Sequence, residues 1–358
     1  MKKIFSLFTV LILVFLPSQA QKATSLISPE VHTDNKITFR YYAPDASKVL
    51  LSTEMLTEPA EMLKDQSGVW STTVDPVKPD IYSYCYLVDG KQVSDPNNTL
   101  IFPYERFKYS LADIKGNNTL VHSLHNVPHG KVSYRYYTSS TLDETRTLLV
   151  YTPPGFDINA KKKYPVLYLI HGASETEETW TKVGRANLIA DNLLVLNKIV
   201  PMIIVMPYAN VSPAPPQYFT RDMMNDIIPF IEDNYPVLKD SKNRAISGFS
   251  EGGGQAINIG LTNPDKFGYL CPFAPYTDTE EFRKNFSDWY PDKEIFNEHL
   301  ILFSVYIATR DHLYESVIGT IAMFKEKGLR VETHIARGAH NWINCRLYLI
   351  NTMQQIFK

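Results

Sequence analysis

Between residues 36 and 94, apolar and polar residues alternate in short runs separated by turn signals. Residues 36–42, 48–52, 68–74 and 81–88 carry the period of two that marks a half-buried strand. Pro44-Asp45, Asp65-Gln66-Ser67-Gly68, Lys78-Pro79-Asp80 and Asp89-Gly90 supply the turns between them. This rhythm predicts a small all-β sandwich over residues 21–117. Residues 95–130 are poorer in pattern and read as a last strand followed by a linker. His122, His125 and His129 fall there, without the paired carboxylates or cysteines that a metal site would need.

From residue 131 the period changes. Strands are expected at 131–138, 146–152, 165–170, 202–206, 244–249, 269–273, 300–308 and 330–336. Amphipathic helices are expected between them, at 180–196, 220–235, 251–261, 313–327 and 341–357. Strands alternating with helices predict a mainly parallel, doubly wound sheet across residues 118–358, the α/β class. Ligands bind such sheets beyond the carboxyl ends of the strands.

The first twenty residues have a different character. Lys2 and Lys3 precede a mostly apolar run from Ile4 to Leu16, and Pro17-Ser18-Gln19-Ala20 places small residues at cleavage offsets. Residues 1–20 therefore read as a signal peptide, with the mature chain starting at Gln21 and exported to the periplasm or beyond. The run is short for a membrane span, and no further span is expected. With 36 Lys and Arg against 38 Asp and Glu, the net charge of -2 leaves no electrostatic footprint for nucleic acid. Three widely spaced cysteines, Cys85, Cys271 and Cys345, form neither a metal motif nor a disulfide framework.

Candidate chemistry centres on Gly248-Phe249-Ser250-Glu251-Gly252, a G-x-S-x-G match lying between an expected strand and an expected helix. In that frame the serine sits on a sharp turn with its hydroxyl exposed at the carboxyl edge of the sheet. A serine hydroxyl needs a general base, usually a histidine oriented by a carboxylate. In the hydrolase fold that uses this turn, the chain order is Ser, acid, His. His340 follows the last expected strand, in a loop at the carboxyl edge, and is the expected base. Asp311 follows the strand before it and is the expected acid, with Asp278 and Glu280 as rivals in the preceding loop. His299 lies at the wrong edge, His334 inside a strand, and His312 adjoins the acid itself. The oxyanion hole is expected from the backbone N–H groups of Glu251 and Ala173, the latter in His171-Gly172-Ala173-Ser174. His171 precedes the nucleophile and reads as a loop-shaping residue.

On these residues a resemblance can be stated. Leu169-Ile170-His171-Gly172-Ala173, Thr220-Arg221-Asp222 with 226–232, and the stretches 149–156, 243–254 and 338–346 resemble the esterase D-type hydrolases. More closely, they resemble the feruloyl and acetylxylan esterases of the first carbohydrate esterase family. Residues 37–44, Gly68-Val69-Trp70-Ser71, Val88-Asp89-Gly90 and Asp95-Pro96-Asn97 resemble the immunoglobulin-like module of glycogen-branching enzymes. The resemblance implies an α/β-hydrolase preceded by an immunoglobulin-like sandwich, with the nucleophile, acid and base at Ser250, Asp311 and His340. Three positions depart from the family pattern. Glu251 stands where Met usually follows the nucleophile, Asn341 where Asp follows the base, and Cys345 where a second Trp precedes Arg346.

The expected function is that of an exported serine esterase hydrolysing feruloyl or acetyl esters on plant cell-wall polysaccharides such as xylan, without metal or cofactor. Tyr208, Tyr218 and Phe219, together with Trp342, are the expected substrate contacts, and Cys345 in place of a ring is expected to weaken an aryl slot. A small-molecule esterase acting on siderophore lactones and a catalytically weak glycan-binding homologue are the alternatives. The N-terminal sandwich is expected to serve docking or scaffolding rather than catalysis.

Overall fold

A computed structural model describes residues 26–116, 120–277 and 293–358. The expected signal peptide and the rival acids Asp278 and Glu280 lie outside the described residues. No helix among the described residues is long and apolar enough to cross a membrane.

The N-terminal part is a two-sheet sandwich. One sheet has the order β1-β2-β6-β5: β1 Glu30–Val31, β2 Ile37–Tyr42, β6 Val69–Val74 and β5 Leu63–Lys64. The other has the order β4-β3-β7-β8: β4 Ala60–Glu61, β3 Val49–Thr53, β7 Ile81–Val88 and β8 Lys91–Val93. Alternate residues of facing strands meet in a core that includes Ile37, Phe39, Val49, Leu51, Tyr84 and Tyr86. The hydroxyls of Tyr84 and Tyr86 donate to Asp95 Oδ2 at 2.8 and 3.0 Å, which satisfies a buried carboxylate.

Strand β9, Ser110–Asp113, pairs with β7 and returns the chain to this sandwich. The chain between β8 and β9 leaves the sandwich and lies against the second sheet. There Tyr104 bridges Glu175, and the Glu105 N–H donates to Ser174 O at 2.8 Å.

The second sheet has eight strands in the order β10-β11-β13-β12-β14-β15-β16-β17. They are β10 Lys131–Ser139, β11 Glu144–Thr152, β12 Val166–Ile170, β13 Ile203–Pro207, β14 Arg244–Phe249, β15 Tyr269–Phe273, β16 Leu302–Ala308 and β17 Glu332–Ala336. The β10–β11 and β11–β13 pairs are antiparallel, and the rest are parallel. Every residue of β12, β13, β14 and β15 is buried, as a sheet covered on both faces requires. β14 lies between β12 and β15, so its carboxyl end opens near the middle of the sheet.

The helices are α1 Thr179–Lys182, α2 Ala186–Val195, α3 Gln217–Asp222, α4 Ile228–Asn234, α5 Glu251–Thr262, α6 Lys293–His299, α7 Tyr314–Glu326 and α8 Trp342–Met353. Three of them differ from the sequence reading. The helix expected over 180–196 is broken at Gly184 and Arg185, the latter at φ 56°. A Cβ on Gly184 would sit 2.8 Å from the Trp342 ring and 2.9 Å from that of Trp180, so close packing selects glycine there. The helix expected from residue 220 starts at Gln217 and widens into a π turn, Met223–Ile227, just before Pro229. That wider turn relieves the clash of the proline ring with the preceding carbonyls. Helix α6 was not expected at all.

Arg346 of α8 joins the two parts. It is almost fully buried, donating to Val183 O at 2.8 Å and to Ile81 O at 3.1 Å while pairing with Asp80.

Candidate active site

The turn from β14 into α5 carries Ser250 at φ 58° and ψ −119°, a conformation that L-residues rarely adopt. Its neighbours make the turn possible. A Cβ on Gly248 would lie 2.3 Å from Gly252 O, and one on Gly252 would lie 2.2 Å from His171 O. Strand β14 and helix α5 therefore approach as closely as two bare backbones can. The backbone of Ser250 is fixed as well: its N–H donates to Phe273 O at 3.0 Å, and its carbonyl accepts from Gly254 and Tyr276 at 3.0 and 2.8 Å. The strain is thus held by the sheet and the helix start, as at a nucleophile turn.

His340 lies in the loop between β17 and α8. Its ring stacks on that of Phe249, the residue before Ser250, with centroids 4.6 Å apart. Its Nδ1 donates to Asp311, 2.9 Å from Oδ2 and 3.0 Å from Oδ1. Asp311 is buried at the end of β16, and its Oδ1 also accepts the Leu313 N–H at 2.9 Å, capping the turn into α7. Nδ1 is thereby engaged as a donor, which leaves Nε2 as the basic nitrogen of the neutral ring. His334 instead stacks on Tyr306 from within β17, and His299 ends α6.

The loop after β12 is held more tightly than its sequence suggests. Gly172 O accepts from His171 Nδ1 at 2.8 Å and from Glu175 N–H at 3.2 Å. This carbonyl shares a planar trans peptide with the Ala173 N–H, so fixing one aims the other in the opposite direction. Ala173 itself is exposed. His171 Nε2 accepts the Ala209 N–H at 2.9 Å. Both contacts require the neutral ring with its proton on Nδ1, and burial pushes this imidazole down to about 4. His171 is therefore a loop-shaping residue, as expected. The second N–H, that of Glu251, opens α5 and has no carbonyl within the helix to meet.

Sequence reasoning missed three residues around this loop. The Glu175 carboxylate is buried, and it accepts Gly172 N–H through Oε2 and Trp342 Nε1–H through Oε1, both at 2.9 Å. Burial pushes its carboxyl up to about 7. Glu105, from the N-terminal part, hydrogen-bonds the Tyr208 hydroxyl. Phe102 meets the Trp342 ring edge-on at 6.5 Å. In sequence, Glu175 belongs to a run with Glu177 and Glu178 that looks like a solvated face, and residues 102–105 fall in the pattern-poor stretch 95–130, read as a last strand followed by a linker.

The expected substrate contacts divide. Tyr208 is half-buried beside His171, with the Arg146 guanidinium 5.1 Å over its ring. Tyr218 is half-buried under Arg221. Phe219 is a correction: it is fully buried in the core, because α3 begins at Gln217 and turns this ring inward. Trp342 is 6% exposed and packs between Phe249 and Trp180, so it backs the site more than it lines it. Cys345 is fully buried in α8, with its thiol pushed up by burial and by Glu175. Its small side chain fills the core behind the loop and does not open a slot to substrate. Glu251 is half-buried, and its carboxyl is raised first by burial and then by the charge of Glu105.

Among the described residues, Asp311, His312 and His340 bring potential metal-ligating atoms within 4.8 Å of one another. Two of these three already share the imidazole–carboxylate hydrogen bond, so a cation there would have to displace the Nδ1 proton.

The comparisons with known proteins follow this geometry. Over 345 residues the chain is 28% identical to an endo-1,4-β-xylanase/feruloyl esterase of Xylanibacter ruminicola, covering 92% of this chain and 46% of that protein. The chain thus spans about half the length of this curated relative. Among solved structures, a CE1 ferulic acid esterase of Anaeromyces mucronatus in complex with ferulic acid superposes with a TM-score of 0.56 at 23% identity. It covers 66% of this chain and 93% of its own. The enterobactin esterase of Shigella flexneri superposes with a TM-score of 0.68 at 15% identity, covering 89% of this chain and 92% of its own. At these identities the solved structures establish the α/β-hydrolase fold alone. The model of carbohydrate-binding module 48, the isoamylase N-terminal domain, matches residues 27–105, and the Esterase family model matches residues 139–326. The chain therefore belongs to the Esterase family, with a carbohydrate-binding-module-48 sandwich ahead of its α/β-hydrolase sheet.

Proposed function

We propose that this protein is a serine carboxylic-ester hydrolase acting on feruloyl or acetyl esters of xylan-type polysaccharides. The observation that carries the reading is the juxtaposition of a strained Ser250 with the hydrogen-bonded His340–Asp311 pair. Ser250 Oγ attacks the ester carbonyl while His340 Nε2 takes its proton, and Asp311 holds the ring and stabilises the imidazolium. The tetrahedral oxyanion is held by the N–H groups of Ala173 and Glu251. His340 then returns the proton to the leaving sugar oxygen, and a water activated by the same imidazole releases the acid. Ala173 and Glu251 act through their backbones, so the departure from Met at position 251 leaves both donors in place.

The xylanase/feruloyl esterase relative supports a cell-wall ester as substrate, and Tyr208 with Tyr218 offers half-buried rings for an aryl acyl group. The apolar leader at residues 4–16 supports export, and a polymeric substrate calls for it. We propose residues 1–20 as the leader, 21–117 as the sandwich module and 118–358 as the esterase domain. A second reading, hydrolysis of a catechol trilactone, is favoured by the enterobactin esterase superposing over more of the chain. The test is kcat/KM on methyl ferulate, feruloylated arabinoxylan oligosaccharide, acetylated xylo-oligosaccharide and a catechol trilactone. The proposal expects turnover of the carbohydrate esters. Rapid cleavage of the trilactone with the other three inert would replace it by the second reading.

A further inference from the structure

The reaction above gives no role to Glu175, although this carboxylate touches both halves of the site. Oε2 accepts the Gly172 N–H and Oε1 accepts the Trp342 indole N–H, each at 2.9 Å. The backbone of Glu175 acts in the same sense. Its N–H holds Gly172 O at 3.2 Å, and its carbonyl accepts from Asn210 Nδ2 at 3.0 Å. Gly172 is thus gripped through its N–H and its C=O by one residue, and the next N–H along the chain is that of Ala173. Trp342 opens α8 two residues after His340, and its ring packs on Phe249 beside Ser250. Ser174, between Ala173 and Glu175, sits at φ 55°, a strained position that these contacts hold in place.

We infer that Glu175 is a positioning residue for catalysis, whose ionised carboxylate sets the oxyanion loop and the base-bearing loop relative to each other through Gly172 and Trp342. The inference rests on the serine-esterase reading. Its chemical basis is the count of donors and acceptors. Both partners are N–H donors, so both carboxyl oxygens must accept. An ionised carboxylate does this; a protonated acid or an amide offers one good acceptor and turns a hydrogen toward the other donor.

The surroundings show why the group matters at working pH. Burial raises this carboxyl to about 7, against the two donated hydrogen bonds that lower it. The nearby titratable groups are Cys345 on α8, neutral and pushed up; Glu105 on the bridging segment; and His171 on the same loop, neutral and pushed down. Arg346 is turned away, to Val183, Ile81 and Asp80. No cation is paired with Glu175 among the described residues, so its charge is held by N–H dipoles alone. Activity on the acid side then depends on the ionised form of Glu175.

The test uses the full chain and an activated aryl acetate. In the wild type, log kcat/KM should fall on the acid side more steeply than in Glu175→Gln across the range where Glu175 takes up its proton. Glu175→Gln should lower kcat by about tenfold or more, with KM changed much less, and lose that extra steepness. Trp342→Phe removes one of the two donors, so adding it to Glu175→Gln should cost little further or recover activity, although Trp342→Phe alone lowers it. Wild-type kcat in Glu175→Gln, the same acid limb in both proteins, or multiplying losses in the double variant would each overturn the inference. Ser250→Ala on the same ester separates the two levels: if it is inactive while Glu175→Gln is unaffected, the positioning role fails and the esterase reading stands. If Ser250→Ala is active, the esterase reading itself fails.

Discussion

The backbone of Tyr104 pairs antiparallel with that of Glu175, so a segment from the pattern-poor stretch 95–130 braces the loop that carries Ala173. The brace continues through Glu105 N–H to Ser174 O at 2.8 Å, the Glu105 contact with Tyr208, and Phe102 on Trp342. The N-terminal part is therefore joined to the candidate active site, where the sequence predicts a docking or scaffold module with no part in catalysis.

A chain starting at residue 118 should consequently lose most of its turnover of small aryl esters, by about tenfold or more, even when it folds. Glu105→Pro in the full chain removes the N–H donated to Ser174 O together with the carboxylate that meets the Tyr208 hydroxyl, and should lower kcat in the same direction. Circular dichroism and kcat on an aryl acetate check both. A folded truncation with full kcat would mean that the brace has no catalytic consequence.

His340 is the base in this account, and only a neutral imidazole can accept the proton of Ser250. His340→Gln should remove most of the activity, and Asp311→Asn should be similarly severe, at about a thousandfold or more. Steady-state pH profiles of the variants decide the matter. If Asp278→Asn is the damaging change and Asp311→Asn is mild, the acid is misassigned.

Glu251 contributes its backbone N–H, but its side chain is a liability. The carboxyl is raised by burial and by Glu105, and once ionised its charge opposes a developing oxyanion nearby. Glu251→Gln keeps the N–H and removes the charge. Its kcat should therefore exceed the wild-type value by a few-fold on the alkaline side, with the difference fading as pH falls and the wild-type carboxyl is protonated. Equal kcat at all pH values would show that the side chain faces away from the reacting atoms.

His122 supplies a stability test remote from the chemistry. It is buried 3.4 Å from Asp80, and burial followed by the Arg346 guanidinium holds its imidazole below the usual range. The unfolded chain takes up this proton near pH 6.5 while the folded chain does not, so the contribution is present above that pH and lost as pH falls toward the folded value. The Tm advantage of wild type over His122→Asn should shrink between about pH 7.5 and about pH 5. A constant or growing advantage contradicts the assignment of a neutral buried ring.

Much of this architecture was legible in the chain. The strands 81–88, 244–249 and 269–273 fall where the sequence predicts them, the first from its period of two and the last from an apolar run whose every residue is buried. The turn at Ser250 was legible because glycines on both sides of a serine between a strand and a helix form a local pattern, although Gly252 answers to His171 O on a neighbouring strand's loop. What stayed hidden depends on distant partners. Gly184 breaks a helix because Trp342 packs on it, Phe219 turns inward because α3 starts early, and Glu175 looks like its solvated neighbours until Gly172 and Trp342 close on it. Outside β9, the described residues of 95–130 lack periodicity because they pack as loops, and the contacts of Tyr104 and Glu105 with the loop after β12 leave no local pattern.

The central claim is that Ser250 is the nucleophile, and labelling tests it most directly. The protein is treated with a serine-directed aryl phosphonate, and its intact mass, labelled peptide and residual esterase activity are followed together. The account predicts one adduct per chain, on the peptide carrying Ser250, appearing in step with loss of activity. It also predicts that folded Ser250→Ala takes no label and retains less than about a thousandth of the wild-type kcat. An adduct on another residue, or a labelled chain that still hydrolyses ester, would contradict it.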